Sequence, residues 1–336
     1  MSIFSSIPQQ LTDAVKNCKR AVVCGHLNPD GDCANSVMAM GLLLKSLGKQ
    51  YILVNEGSFL RPEIEEFKKS LSEAVPQEYQ NKDTLGIVVD CSTYDRLGIY
   101  ANLFENVFTT VVIDHHSSGF SSDASHYIVP SSPSTTLLIY KLFKALNVEL
   151  NKEISQLIFR GFATDSGFFK FLGENSAECF EIVADLVRCG VNPSIEYANI
   201  SGGKPFNTVK FLAAIIERTE MYFDGRLAVS HEQLSDCGKF GDNSRASDEY
   251  YAQMFTVKGV EAIAFFKVSN KVENAIEVGM RASATSSVNV GAIAAKHGGG
   301  GHVKAAGVTI KGSYEEVKNL ILKEFASVLN TQYENN

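Results

Sequence analysis

The stretch Val111-Val112-Ile113-Asp114-His115-His116 joins three β-branched apolar residues to three side chains that can bind a metal or move a proton. The apolar run reads as a buried parallel strand. Two further runs have the same form. Arg20-Ala21-Val22-Val23-Cys24-Gly25 leads into His26, Asp30 and Asp32, and Leu85-Gly86-Ile87-Val88-Val89 leads into Asp90. In an open α/β sheet, sites are built at the carboxyl ends of the strands. Carboxylate oxygens together with imidazole nitrogens suit Mn²⁺, Mg²⁺, Fe²⁺ or Zn²⁺. For one strand, a helix cap and surface histidines would be an equal explanation. Three strands delivering such groups at one end argue for a metal centre.

The surrounding elements must position these residues. His26-Leu27-Asn28-Pro29-Asp30-Gly31-Asp32 is a turn, because Asn-Pro and Asp-Gly break regular structure, and a turn can curl its polar residues around one point. A helix follows from about Ala34 to Leu47, stopped by Gly48. Tyr51–Val54 reads as a strand, Arg61–Val75 as a helix, and Ser117–Ser125 as a Ser/Gly-rich loop that either is solvated or meets substrate. Ser134-Thr135-Thr136 opens an amphipathic helix whose N-terminus could offer N–H groups to phosphate. A second helix, Ile154–Phe162, ends near Thr164-Asp165-Ser166-Gly167. Alternating strands and helices predict a doubly wound parallel sheet.

At 336 residues the chain exceeds what one core usually supports, so two domains are expected. Pro193, Gly202, Gly203 and Pro205 mark the change of character between them. The later half reads as a helix at Lys210–Tyr222, strands near 227–230, 262–268, 275–281 and 308–310, a polar stretch at Asp236–Tyr251, and a last helix from Tyr314 to about Leu329. A composition of 45% hydrophobic and 21% charged residues is ordinary for a globular protein. The seven cysteines form no CxxC pair and read as reduced thiols, with Cys24, Cys33 and Cys91 as small packing residues. No apolar run reaches a membrane span and Met1–Gln10 lacks a signal-peptide pattern, so the expectation is a cytoplasmic protein with no membrane partner. A net charge of −7 without a basic block disfavours long duplex nucleic acid.

His297-Gly298-Gly299-Gly300-Gly301-His302 is either a flexible loop or a backbone nest in which N–H groups approach a phosphate or base without an intervening Cβ. In the second reading Gly299, Gly300, Gly301, His302 and Arg281 are the substrate-binding residues.

Together these residues carry a resemblance. His26–Asp32, Asp90, Asp114-His115-His116 and Asp165 resemble the four motifs of the DHH phosphoesterase family. Gly298–His302 with Ala305-Ala306-Gly307 resembles the signature of the DHHA1 substrate-binding domain. Order, spacing and length are similar to the standalone nanoRNase (oligoribonuclease)/pAp phosphatase subgroup, over nearly the whole chain. The resemblance implies an α/β DHH catalytic domain at 1–190, a linker at 191–209 and a smaller α/β DHHA1 domain at 210–336, with the active site in the interdomain cleft. It implies two divalent ions, Mn²⁺ foremost, with Mg²⁺, Fe²⁺ or Co²⁺ as substitutes. One ion would take His26, Asp30 and Asp90, and the other Asp32, Asp90, His115 and Asp165, so that Asp90 bridges them. Asp114 would orient an imidazole, and His116 would face the scissile phosphate.

The implied reaction is hydrolysis of short RNA oligonucleotides and linear dinucleotides to nucleoside 5′-monophosphates, and of 3′-phosphoadenosine 5′-phosphate to AMP, by a hydroxide bridging the ions. A homodimer is compatible with this. The alternatives are a cyclic or linear di-AMP/di-GMP phosphodiesterase, a manganese inorganic pyrophosphatase, and a non-enzymatic nucleotide sensor. Pyrophosphate has no base, so a pyrophosphatase would need no Gly-rich nucleotide platform, and a sensor should lack a ligand.

Overall fold

The computed structural model of the chain describes residues 3–59, 63–120, 124–241, 246–270 and 272–330. Two compact units divide it, Met1–Gly203 and Lys204–Asn336.

In the first unit the apolar runs become β1 (Arg20–Cys24), β3 (Thr84–Val89) and β4 (Thr109–Asp114). With β2 (Gln50–Val54) and β5 (Tyr127–Ile128) they form a sheet in the order β2-β1-β3-β4-β5. Every pairing is parallel. Both faces are covered, which is why the strands read as continuous apolar runs. Ala21, Val23, Ile87, Val89, Val111 and Ile113 pack under a helical layer. Its members are α1 (Gln9–Asn17), α2 (Gly31–Ser46), α3 (Thr135–Ala145), α4 (Lys152–Asp165) and α5 (Ala177–Arg188). Val22, Val88 and Val112 face the other way, onto Leu97, Tyr100, Phe104 and Phe108, which lie in and beside short 3₁₀ and π turns. Helix α6 (Pro193–Ser201) is tied to α4 by the buried Glu196, which accepts from Gln156 Nε2 at 2.7 Å and Arg160 Nε at 2.6 Å.

The second unit begins with α7 (Phe206–Glu217) and β6 (Glu220–Tyr222). It continues through β7 (Leu227–His231), α8 (Leu234–Phe240), α9 (Ser247–Met254), β8 (Ala262–Val268), β9 (Ala275–Ala282), α10 (Val290–Lys296), β10 (Gly300–His302), β11 (Ala305–Lys311) and α11 (Tyr314–Val328). Its sheet runs β10-β11-β9-β8-β7-β6, antiparallel except at β7–β8. Ile276, Val278 and Met280 of β9 pack with Val290, Ile293, Ile321 and Phe325 on one face. Ile263 and Phe265 of β8 pack with Phe211, Ile215, Tyr250 and Met254 on the other.

Three expectations change. The helix expected over Arg61–Val75 is a 3₁₀ turn at Glu65–Ser70, since among its described residues Ile64, Phe67 and Val75 alone are buried and do not continue a helical stripe; residues 60–62 lie outside the described residues. The helix placed at Lys210–Tyr222 starts at Phe206 and stops at Glu217, and Glu220–Tyr222 pairs with β7 instead. The polar stretch Asp236–Tyr251 lies largely in α8 and α9, with residues 242–245 outside the described set. Its polarity is partly internal. Asp236 is buried and accepts from Arg218 Nη1 at 2.6 Å, Arg218 Nη2 at 2.7 Å and the Gln233 N–H at 2.8 Å.

Two substitutions test this packing. Gly161 lies where α4 meets α2 and α3; a Cβ there would be 2.4 Å from Thr136 Cγ2 and 2.7 Å from Asp32 Oδ1. Gly161→Ala is expected to cost about 1–3 kcal/mol through overpacking, read as a lower midpoint in urea unfolding. In the second unit, burial pushes the Asp236 carboxyl up, but the Arg218 fork and the Gln233 N–H outweigh it and hold it below its usual value. Its stabilisation is therefore full above the unfolded-state pKa and disappears as the pH falls through the lower folded value. Asp236→Asn should cost about 3 kcal/mol at neutral pH, and the gap from wild type should close in strong acid, read by denaturation at a series of pH values.

Candidate metal centre and substrate cavity

The order β2-β1-β3 reverses the direction of winding beside β1, and the polar cluster lies at the carboxyl ends of β1, β3 and β4, where such a sheet opens. His26 follows β1 in a turn fixed from β2's end: Asn55 accepts the Gly25 N–H at 2.8 Å and donates to the His26 carbonyl at 2.9 Å. Asp30 is the N-cap of α2. Its Oδ1 accepts the Cys33 N–H at 3.1 Å, while Oδ2 lies 3.7 Å from His26 Nε2. Asp90 follows β3 with φ = 52°, a left-handed conformation tolerated best by Asp, Asn and Gly. Asp165 is the last residue of α4.

These residues converge. Asp90 Oδ2 is 3.7 Å from His26 Nε2, and Asp90 Oδ1 is 3.4 Å from His115 Nε2. His115 Nε2 is also 3.2 Å from Asp165 Oδ2. Ligand atoms of Asp32, His115 and Asp165 lie within 4.8 Å of one another, and so do those of His26, Cys33 and Asp90. The imidazoles are oriented from behind. His115 Nδ1 lies 3.1 Å from the Ser132 carbonyl and His26 Nδ1 3.0 Å from the Leu27 carbonyl. A carbonyl only accepts, so each Nδ1 carries a proton and each ring turns its Nε2 toward the cluster. His116 differs. Its Nδ1 donates to Asp114 Oδ1 at 2.7 Å, and that same oxygen accepts the His115 N–H at 2.8 Å.

Thr135 and Thr136, which the sequence places at a helix start, brace the cluster through side-chain contacts that the sequence does not show. Asp32 is fully buried, and the first turn of α3 holds it: Oδ2 accepts the Thr135 N–H at 2.6 Å, and Oδ1 accepts the Thr136 N–H at 3.1 Å and hydroxyl at 2.7 Å. The Thr135 hydroxyl donates to Asp90 Oδ1 at 3.0 Å. The helix N-terminus expected to offer N–H groups to phosphate thus gives the two of Thr135 and Thr136 to a carboxylate. The physics is the same, an anion at the positive end of a helix.

The electrostatics fit a divalent cation. Burial pushes the Asp32 carboxyl well above its usual range, and Asp90 and Asp165 push it further. Burial also raises Asp165, against the pull of His115. Burial opposes charge on His115, yet hydrogen bonds to Asp165 and Asp90 overcome it and carry the imidazole up to about 12. Asp114 raises His116 in the same sense against its partial burial. Among the described residues no Lys or Arg is within ion-pair distance of Asp32, Asp90 or Asp165. Four carboxylates and two oriented imidazoles are the donor set of an oxygen- and nitrogen-loving metal. Cys33 is buried beside them and its thiol is raised well above its usual range by burial.

The other predicted residues lie in the second unit. Glu277, Gly279 and Arg281 of β9 share a face with Ala305 and Gly307 of β11, and this face floors a cavity of about 890 Å³. Arg281 has no carboxylate partner among the described residues; its guanidinium lies 4.6 Å from the centroid of the Tyr251 ring, and Nη1 donates to the Met280 carbonyl at 3.0 Å. Gly300 and Gly301 line the cavity, while Gly299 and His302 do not, and His302 is exposed. The glycine run is not the open nest expected. The Gly299 N–H returns to the Ala294 carbonyl at 2.9 Å, and Gly300–His302 form the edge strand β10 paired with Ala305–Gly307. Glycine is required for that hairpin: Gly301 has φ = 139°, and a Cβ there would sit 2.5 Å from the Ala305 carbonyl oxygen.

Known proteins resemble the chain along its length. The family model for the DHH family N-terminal domain matches residues 20–162, and that for the DHHA1 domain matches residues 228–331. A bifunctional oligoribonuclease and PAP phosphatase of Thermus thermophilus is 28% identical over 90% of this chain and 89% of its own. A cyclic-di-AMP phosphodiesterase of Listeria monocytogenes is 26% identical over 91% of this chain but 47% of its own. The crystal structure of an exopolyphosphatase-related protein from Bacteroides fragilis superposes with a TM-score of 0.85 at 20% identity, covering 98% of this chain and 99% of that one, which shows a shared fold. With both domains matched in order over a metal-ready cluster, the chain belongs to the DHH/DHHA1 phosphoesterase family.

Proposed function

We propose that this DHH-family phosphoesterase hydrolyses very short RNA oligonucleotides and linear dinucleotides to nucleoside 5′-monophosphates, and 3′-phosphoadenosine 5′-phosphate to AMP and phosphate. The observation that carries the reading is the convergence of His26, Asp30, Asp32, Asp90, His115 and Asp165 at one end of the parallel sheet. Similarity to the Thermus thermophilus enzyme over nearly the full length of both chains supports the substrate class.

His26, Asp30 and Asp90 would hold one divalent ion, foremost Mn²⁺, and Asp32, Asp90, His115 and Asp165 a second. Such a pair supplies Lewis acidity toward the phosphate and an activated water as nucleophile. The chain's own residues do the rest. Asp90, in its left-handed conformation, sets its two oxygens toward His26 and His115 respectively. Thr135 and Thr136 keep the Asp32 carboxylate from rotating. Asp114 accepts from His116 Nδ1 and favours the charged, doubly protonated ring, whose Nε2–H would protonate the departing oxygen. In the second unit, Arg281 has no carboxylate partner among the described residues and would bind a nucleotide phosphate.

The test is a turnover panel of labelled dinucleotides, longer RNA, cyclic dinucleotides, 3′-phosphoadenosine 5′-phosphate and pyrophosphate, with Mn²⁺ and after chelation. The expected result is metal-dependent cleavage of dinucleotides and 3′-phosphoadenosine 5′-phosphate well ahead of the others; preference for pyrophosphate or a cyclic dinucleotide overturns the assignment. Within that assay, His116→Ala should lower kcat by about 10²–10⁴-fold with metal content unchanged by elemental analysis. Loss of bound metal in that variant would make His116 a ligand.

A further inference from the structure

The turn that follows α4 and its terminal Asp165 carries an exposed aromatic ring. After Asp165 and Ser166 come three residues with left-handed backbones, Gly167, Phe168 and Phe169, at φ of 57°, 54° and 76°. That conformation is unfavourable for any residue with a Cβ, and runs of it persist only where the surroundings enforce them. Here the Phe168 N–H reaches the Ala163 carbonyl at 2.6 Å, the Phe169 N–H the Ser166 hydroxyl at 3.2 Å, and the Phe171 N–H the Ser166 carbonyl at 3.1 Å. Phe168 and Phe169 turn inward, each with its ring 6.0 Å from that of Phe159. Phe171 does not. Its ring rests against Gly167, where a Cβ would lie 2.5 Å from Phe171 Cε2, and the residue is 78% exposed.

Single exposed apolar residues are common and need no role. This one is distinguished by where it sits and what seats it. Gly167 is two residues from Asp165, at most ~7 Å along the chain, and Asp165 is in contact with His115 inside the cluster. A left-handed turn and a bare glycine thus hold a large ring in solvent, on the same turn that begins at Asp165. Carboxylates and metal-facing imidazoles suit a phosphate. A base needs a flat apolar surface, and base–aromatic stacking is tolerant of base identity because every base has a π-face.

We propose that Phe171 is a base-stacking residue, seating the nucleobase next to the scissile phosphate. The proposal rests on the reading of the chain as a phosphoesterase of short nucleotides, and it adds the group that separates nucleotides from base-free phosphoesters.

The chain has no tryptophan, so Phe171→Trp gives the intact protein a single indole at this position. In Mg²⁺, titration with AMP should quench its emission, while ribose 5-phosphate at equal occupancy should not. In parallel, kcat/KM is compared for linear diadenylate and for the same ribose-phosphate diester without bases. Phe171→Ala should lower the ratio of the two by about 5- to 150-fold, the range for one lost stacking contact, and Phe171→Tyr should restore it. Equal responses of the indole to AMP and ribose 5-phosphate, or equal losses on both diesters, overturn the proposal. A shift of Phe171→Ala from dimer to monomer with equal losses on both substrates also overturns it, by making the ring a subunit contact. A wild-type enzyme that leaves dinucleotides uncut refutes the substrate reading instead, and the quenching comparison still decides the role of Phe171.

Discussion

Burial of several like charges at one point is the constraint on which the first unit is built. Asp32 and Asp90 are almost wholly removed from water, and Asp30 and Asp165 stand beside them. Such a group is tolerable only if donors and cations surround it. The fold supplies the donors from the first turn of α3, from the Thr135 hydroxyl and from two backbone-oriented imidazoles. The close approach of α2, α3 and α4 that places the α3 donors depends on Gly161 leaving room. The same arrangement that makes the site costly without a cation makes it selective for one.

Much of this was legible in the sequence because the strands of a parallel sheet are buried on both faces. β1, β3 and β4 are unbroken apolar runs, and each ends abruptly in His or Asp, so both the sheet and the clustering at its carboxyl edge could be read directly. The residues that complete the cluster are less visible. Ser134-Thr135-Thr136 reads as an ordinary helix start, and Ser134 is indeed the N-cap. The hold of the Thr135 N–H on Asp32 spans 103 residues and has no local signal.

The second unit hid more. Glycine has little preference for strands, so Gly298–Gly301 suggested a loop or nest, yet pairing with Ala305–Gly307 makes part of it a sheet edge. Small residues on both sides of that hairpin leave the cavity floor bare, and only the assembled sheet shows it. The stretch around Asp236 reads only as polar because its partner, Arg218, comes from α7's end rather than from its neighbours. Nothing in the sequence Phe168-Phe169-Lys170-Phe171 sets the last residue apart; the left-handed turn divides that run into inward and outward residues, and a backbone reversal of this kind leaves no pattern of hydrophobicity.

One oxygen atom joins two tasks. Asp114 Oδ1 receives both the His115 N–H and the His116 Nδ1–H. The backbone of His115 and the imidazole of His116 are therefore anchored to a common pivot at the buried end of β4. Lengthening that acidic side chain by one methylene would displace the shared acceptor and loosen both bonds at once, so a single position sets both the path of the chain and the orientation of a ring.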